Sequence, residues 1–227
     1  MATQHVLGVS AMAIQSLKDE VQVMLKLASE NVEASFGAIE RMGEGGIKEI
    51  EKREDAIDQM NVHLSRKVAK ALTVEHGYGD VMSINHLFKI VGNIERIGDH
   101  AMNLAEYAQT IKEKNLGFSD TARDEIRTME GICGEAMDIL LAASRGEHID
   151  LARAEELEQT MDDTTVQFRQ NQIARMRVGH CNVESSILYS EMLTDYERIG
   201  DHVLNIAQAF AAIEGAPVEE TAAAAQA

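Results

Sequence analysis

The octet Asn93-Ile94-Glu95-Arg96-Ile97-Gly98-Asp99-His100 returns as Asp195-Tyr196-Glu197-Arg198-Ile199-Gly200-Asp201-His202. Its last six residues are unchanged. Asn103 and Ala105 also match Asn205 and Ala207, so eight of eleven positions from Glu95 onward are identical at an offset of 102. A match of this kind at a fixed distance means one structural unit present twice. Around the first copy, Ile84, Leu87, Phe88, Val91, Met102 and Ala105 fall at helical spacing, so the repeated octet sits on a helix with one apolar face.

Two more helices precede this one. Ile14, Leu17, Val21 and Met24 recur at three and four, and the stripe continues past Val32, Phe36 and Ile39 to Gly43-Glu44-Gly45-Gly46. A second stripe runs from Ile47 through Ile50, Ile57, Leu64, Val68 and Leu72 to a break at His76-Gly77-Tyr78-Gly79-Asp80. The third helix ends near Lys114, and Asn115 to Ser119 form a turn. The pattern then repeats, with helices expected over 119–144, 148–177 and 183–213 and breaks at Ser144-Arg145-Gly146 and Val178-Gly179-His180. The spacing predicts an all-α fold of two tandem antiparallel three-helix bundles, six long helices of up to about 30 residues or 45 Å. The first bundle takes residues 1–115 and the second 116–213. Residues 214–227, with Gly, Pro, three Glu and an Ala tract, are expected to be a disordered tail.

Composition agrees. The 227 residues contain one Pro, at position 217, no Trp and only 4% aromatics, which argues against β-sandwiches, Rossmann folds and barrels. Asp plus Glu is 38 and Lys plus Arg 21, so the net charge is −17. A surface this acidic repels phosphate backbones and anionic membranes, which excludes nucleic acid as a partner. No apolar run approaches the roughly 20 residues of a bilayer span, so no membrane insertion is expected. The N-terminus has no basic segment followed by an apolar one, so no signal peptide is expected. Cys133 and Cys181 form no CxxC and read as free thiols in a reducing cytoplasm. The 12 methionines read as core filling.

The chemistry lies in the acids. Glu-x-x-x-Asp occurs six times, where composition alone gives roughly 1.4. Four copies are repeat-related: Glu54/Asp58 with Glu158/Asp162, and Glu95/Asp99 with Glu197/Asp201. The other two, Glu51/Asp55 and Glu191/Asp195, have no counterpart and are expected to face solvent. Acids at i and i+4 share a helix face and repel. Glu54 lies between Ile50 and Ile57, Glu95 follows Val91 by four, and Glu197 follows Leu193 by four, so they interrupt apolar stripes. Anions placed so need cations. Arg96, Arg198 and water supply them in one reading. In the other, facing pairs hold metal, and all-oxygen sites suit hard ions such as Fe³⁺, Mn²⁺, Mg²⁺ or Ca²⁺.

Asn103 and Asn205 continue the acidic face and offer further carbonyl oxygens. Gly98 and Gly200 give room for a partner helix or an ion. His100 and His202 point about 100° away from the neighbouring Asp, as interface or half-exposed groups. No Glu has His three residues on, and HExxH, GxSxG, P-loop and GxGxxG motifs are absent from the sequence, so no enzyme activity is expected.

At the two octets the chain resembles the PhoU family of phosphate-uptake regulators, over most of residues 10–213. The resemblance implies tandem three-helix bundles with acidic motifs and a non-enzymatic adaptor. It implies a link between a phosphate transporter and a two-component sensor kinase that restrains uptake and starvation signalling. Such a protein is cytoplasmic, peripheral at the inner membrane face through the transporter, and capable of forming a homodimer. Some members hold multinuclear iron or zinc clusters. By position that role falls on Glu54, Asp58, Glu95 and Asp99, and on Glu158, Asp162, Glu197 and Asp201, with iron, zinc, manganese or magnesium as the ion. Residues 73–83 lack the Pro and Arg that many members carry at that turn. The sequence is also similar to the PhoU-like cytosolic tail of sodium/phosphate cotransporters. The remaining alternative is a structural helical adaptor whose acids never meet metal.

Overall fold

The computed structural model describes residues 2–43, 47–74, 78–179 and 182–215. They form six helices: α1 (Ala2–Glu40), α2 (Ile47–Val74), α3 (Tyr78–Glu113), α4 (Asp120–Ser144), α5 (Leu151–Arg177) and α6 (Val183–Glu214). Among the described residues there is no strand. The helices group as two three-helix bundles, α1–α3 and α4–α6. At 39 residues α1 exceeds the expected length and starts well ahead of the Ile14 stripe. The expected break at 76–80 is narrower, because Tyr78, Gly79 and Asp80 already belong to α3. Residues 44–46, His76, Gly77, His180, Cys181 and the tail from 216 lie outside the described residues.

The helix ends follow local chemistry. Ser119 accepts the Ala122 N–H at 3.2 Å, Asp150 accepts that of Arg153 at 3.0 Å, and Asn182 accepts that of Glu184 at 2.8 Å. Each satisfies an N–H that a helix start leaves without a partner. α1 ends differently. Gly43 has φ 76° and donates to the Ala38 carbonyl at 2.8 Å. A Cβ there would stand 2.3 Å from the Ala108 carbonyl oxygen of α3, so only glycine lets this turn press on α3.

The apolar stripes form one continuous core through both bundles. Leu17, Val21 and Met24 of α1 meet Ile57 and Leu64 of α2 and Ile90 and Ile94 of α3, all buried. Met129, Cys133, Met161, Tyr196 and Ile199 do the same in the second bundle. Phe88 departs from the expected stripe. It is 50% exposed, because Leu87, Ile90, Val91 and Ile94 take the inner face of α3. No described helix is long and apolar enough to cross a membrane.

α3 and α6 occupy the centre. Each packs on the other two helices of its own bundle, and the two pack on each other; α1 and α4 also touch. They run antiparallel, since Asn93 meets His202, His100 meets Asp195 and Lys114 meets Glu184. The repeated glycines serve the outer seams. A Cβ on Gly98 would meet Ile57 Cδ1 at 3.3 Å, and one on Gly200 would meet Met161 Sδ at 2.9 Å. Ile57 and Met161 are themselves repeat-related, 104 residues apart. These glycines therefore admit a partner helix, which places the acids of α2 and α3, and of α5 and α6, side by side.

Candidate metal centres

Glu54 and Asp58 project from α2 beside Asp99 of α3, and one carboxylate oxygen of each lies within 4.8 Å of the others. Glu158, Asp162 and Asp201 repeat the arrangement between α5 and α6 within the same limit. Two oxygens on opposite sides of one cation at roughly 2.0–2.4 Å stand up to about 4.8 Å apart, so each triplet fits a single hard ion. Six of the eight acids singled out by sequence are thus brought together. Glu95 and Glu197 stand outside the triplets on the same helices.

The neighbouring arginines neutralise only part of this charge. Arg96 reaches Glu95 at 3.6 Å and Asp99 at 3.4 Å, and Arg198 reaches Asp201 at 2.9 Å. Among the described residues no Lys, Arg or His lies within ion-pair distance of Glu54, Asp58, Glu158 or Asp162. The electrostatics register the crowding. Burial and then the Asp58 and Asp99 charges push Glu54 above the ordinary carboxylate range. Burial and Asp99 do the same to Glu95, opposed by Arg96. Burial also raises Asp99, against the pull of Arg96. In the second bundle burial with Asp162 raises Glu158, and burial with Asp201 raises Asp162. Three carboxylates this close, all but Asp58 half-buried, favour a cation between them.

The two halves are not identical. Arg169 of α5 approaches Glu197 at 3.8 Å while donating to Thr194 at 2.8 Å. The repeat-related position in α2 is Ser65, so Glu95 has no such cation from its neighbouring helix.

Two residues, Asn103 and Asp195, lie elsewhere than their spacing suggests. Asn103 turns from the acids and donates its amide to Asp195 Oδ1 at 3.1 Å. Asn205 is half-buried at the equivalent place on α6. Asp195, expected to face solvent, is buried at the α3–α6 interface, where His100 Nδ1 lies 2.6 Å from its Oδ1. The rings of His100 and His202 stack there at 5.6 Å. The signal was in the octet: Asp195 is the counterpart of Asn93, whose carbonyl oxygen faces His202 Nδ1 at 2.9 Å.

The sequence profile described as PhoU domain matches residues 21–108 and again 126–210. The chain belongs to the PhoU family. The two matches are the two bundles, each carrying one triplet. Among curated proteins, the phosphate-specific transport system accessory protein PhoU homolog 1 of Thermotoga maritima is 27% identical, over 87% of this chain and 85% of that protein. A PhoU homolog of the same description from Aquifex aeolicus is 26% identical, over 82% and 83%. Among solved structures, PhoU from Pseudomonas aeruginosa superposes with a TM-score of 0.81 at 21% identity, covering 90% of this chain and 98% of that one. The Streptococcus pneumoniae phosphate transport system regulatory protein PhoU gives 0.77 at 17%, covering 93% and 99%. These likenesses to structures concern the fold.

Proposed function

We propose that this PhoU-family chain is a non-enzymatic accessory protein of a phosphate-transport system. It docks on the cytoplasmic side of the transporter and holds phosphate uptake and phosphate-responsive two-component signalling down. Family membership over both bundles supports the transport role, as do relatives named as accessory proteins and matched over most of their length. The sensor kinase as second partner and a homodimer as the working assembly extend the same reading. The −17 charge favours basic partner faces and makes the association sensitive to salt.

The observation that carries the metal part is the pair of acid triplets, each with ligand oxygens within 4.8 Å of one another. We assign Glu54, Asp58 and Asp99 to one ion and Glu158, Asp162 and Asp201 to another. Glu95 and Glu197, one turn before Asp99 and Asp201 on α3 and α6, are the acids that would enlarge the sites. The donor set is all oxygen, which suits iron, manganese or magnesium better than zinc. A bound ion supplies positive charge and ties two helices of one bundle together.

Two experiments test the proposal. Deleting the gene should raise phosphate uptake or starvation-gene expression in phosphate-rich medium, and the protein should co-purify with a phosphate transporter at low salt. Unchanged uptake and signalling with no such partner would refute the regulatory role. Elemental analysis of the purified protein should find metal, and Asp58→Ala with Asp99→Ala should lose one site and spare the other. Background metal in the wild type, with no melting shift on adding Mn²⁺ or Fe³⁺, would refute the metal assignment.

A further inference from the structure

Among the described residues ten large apolar side chains are exposed, and six of them lie between Val166 and Ile187. Crowding of this kind marks a contact surface, where scattered apolar residues would not. Its layout follows from the α5–α6 seam. The Gln172 side chain donates to the Ser186 carbonyl across that seam, and Arg169 reaches Ser190 and Thr194, so the two helices run antiparallel. Ile173 and Ile187 come one residue after Gln172 and Ser186. On antiparallel helices one step of about 100° from facing positions turns both side chains to the same side. Met176 and Val183 lie on that side too, one turn nearer the end of the hairpin. Each of the four is at least 44% exposed, and together they line an open groove between two helices. In the first bundle the positions matching Ile173 and Ile187 are Ala69 and Asn85, so the apolar lining is particular to the second bundle.

Charge selects what covers the groove. Residues 164–183 hold three Arg and no Asp or Glu, in a bundle (116–213) that carries 18 acids against 8 bases, a net −10. Arg175 turns inward to Glu125. Arg169 closes the groove toward the acid triplet, 3.8 Å from Glu197. Arg177 shares the outer face of α5 with Val166 and Ile173, and among the described residues it has no acid within ion-pair distance. On α6, Glu184 is taken by Lys114, and Glu191 lies toward Tyr107 of α3. The groove therefore fits an apolar partner with negative charge. An anionic bilayer would meet the net charge of the whole bundle and be repelled, whereas a single helix meets the groove alone. From Arg169 to Val178 is nine residues, about 14 Å or two to three turns. We propose that the groove docks an amphipathic helix of a partner protein, its apolar stripe flanked by acids, as a fourth helix on the second bundle.

The test uses the purified full chain and a fluorescent helical peptide of about four turns, with Leu at i, i+3, i+7 and i+10 and Glu on either side. A second peptide has Lys for every Glu. The Glu peptide should bind saturably, about tenfold tighter than the Lys peptide, and should weaken as sodium chloride is added. Ile173→Glu with Ile187→Glu should weaken it by about tenfold at an unchanged melting temperature, because both side chains are exposed. Ile173→Ser with Ile187→Ser is the milder pair should the first not fold. Ala69→Glu with Asn85→Glu in the first bundle should leave binding intact, and Arg177→Glu should erase the preference for the Glu peptide. No saturable binding, equal binding of the two peptides, or binding undiminished in both isoleucine pairs would overturn the proposal. A concentration-dependent dimer lost in the isoleucine pairs would give the groove to a second copy instead. Tighter binding to phosphatidylglycerol vesicles than to the Glu peptide would give it to lipid. The measurement involves neither transporter nor phosphate, so its failure leaves the proposed function standing.

Discussion

His100 Nδ1 stands 2.6 Å from Asp195 Oδ1 and joins α3 of one bundle to α6 of the other. The mirrored contact, His202 with Asn93, measures 2.9 Å. The two halves of the interface therefore differ in chemistry at one pair of repeat-related positions, an amide in one and a carboxylate in the other. Asp195 has 7% of its side chain exposed, and its charge is met by His100 and by the Asn103 amide.

Asp195→Ala leaves His100 and Asn103 facing a buried gap, and a buried donor without an acceptor costs about 1–3 kcal/mol. Asp195→Asn keeps an acceptor and reproduces the Asn93 side of the interface, so it should cost less. Urea unfolding should rank the wild type above Asp195→Asn and that above Asp195→Ala. Equal stability of all three would mean the contact contributes nothing.

Glu130 of α4 gives a pH dependence. Burial and the Glu40 charge push its carboxyl up to about 8, against the opposing effects of the Tyr196 hydroxyl and Arg127. The folded state thus binds a proton more tightly than the unfolded chain, whose carboxyl keeps its ordinary value of 4.5. Stability from this group is complete below that value and is lost as pH rises through about 8. Glu130→Gln should remove this part of the pH dependence and be more stable than the wild type at about pH 9. Parallel denaturant curves at every pH for the two proteins would show the group is not buried in solution.

Glycine substitutions should split by backbone and space. Gly131 sits inside α4, where an added Cβ would meet nothing within 4 Å, so Gly131→Ala should stabilise by about 0.5–1 kcal/mol. Gly43→Ala combines φ 76° with a backbone oxygen at 2.3 Å and should destabilise by more than about 1 kcal/mol. Thermal melts of the two variants should move in opposite directions.

Arg169→Gln removes the cation 3.8 Å from Glu197. If Glu197 helps hold an ion, Mn²⁺ affinity at the second triplet should rise several-fold. The measurement is calorimetry on a Glu54→Gln, Asp58→Asn background, which silences the first triplet. Unchanged affinity would remove Glu197 from the site.

The helices, their order and the pairing of acids were legible in the sequence because each depends on spacing along one chain. Ile50, Ile57 and Leu64 fall on the buried face their period requires. Glu54, Asp58 and Asp99 meet because a repeated i, i+4 pattern on antiparallel neighbours brings like faces together. What spacing could not show was the face of α3 and α6 turned toward the other bundle. Asp195 looked like a surface acid because its partners, His100 and Asn103, are over 90 residues away. Phe88 looked like core because it lies at helical spacing from Ile84 and Val91, but Leu87, Ile90, Val91 and Ile94 take the inner face of α3 and leave it half exposed.

Each acid triplet draws all its members from one bundle: α2 with α3, or α5 with α6. An ion captured there acts as a rivet within one arm of the molecule and does not bolt the arms together. The joint between them is made by the α3–α6 seam, with its stacked imidazoles and its buried Asp195 carboxylate, and by the α1–α4 contact. The seam still lies next to the acids, because Asp99 and Asp201 are each followed by a seam histidine, His100 or His202, with which they interact electrostatically. A partner that spreads or closes the arms would work against the α3–α6 seam and the α1–α4 contact together.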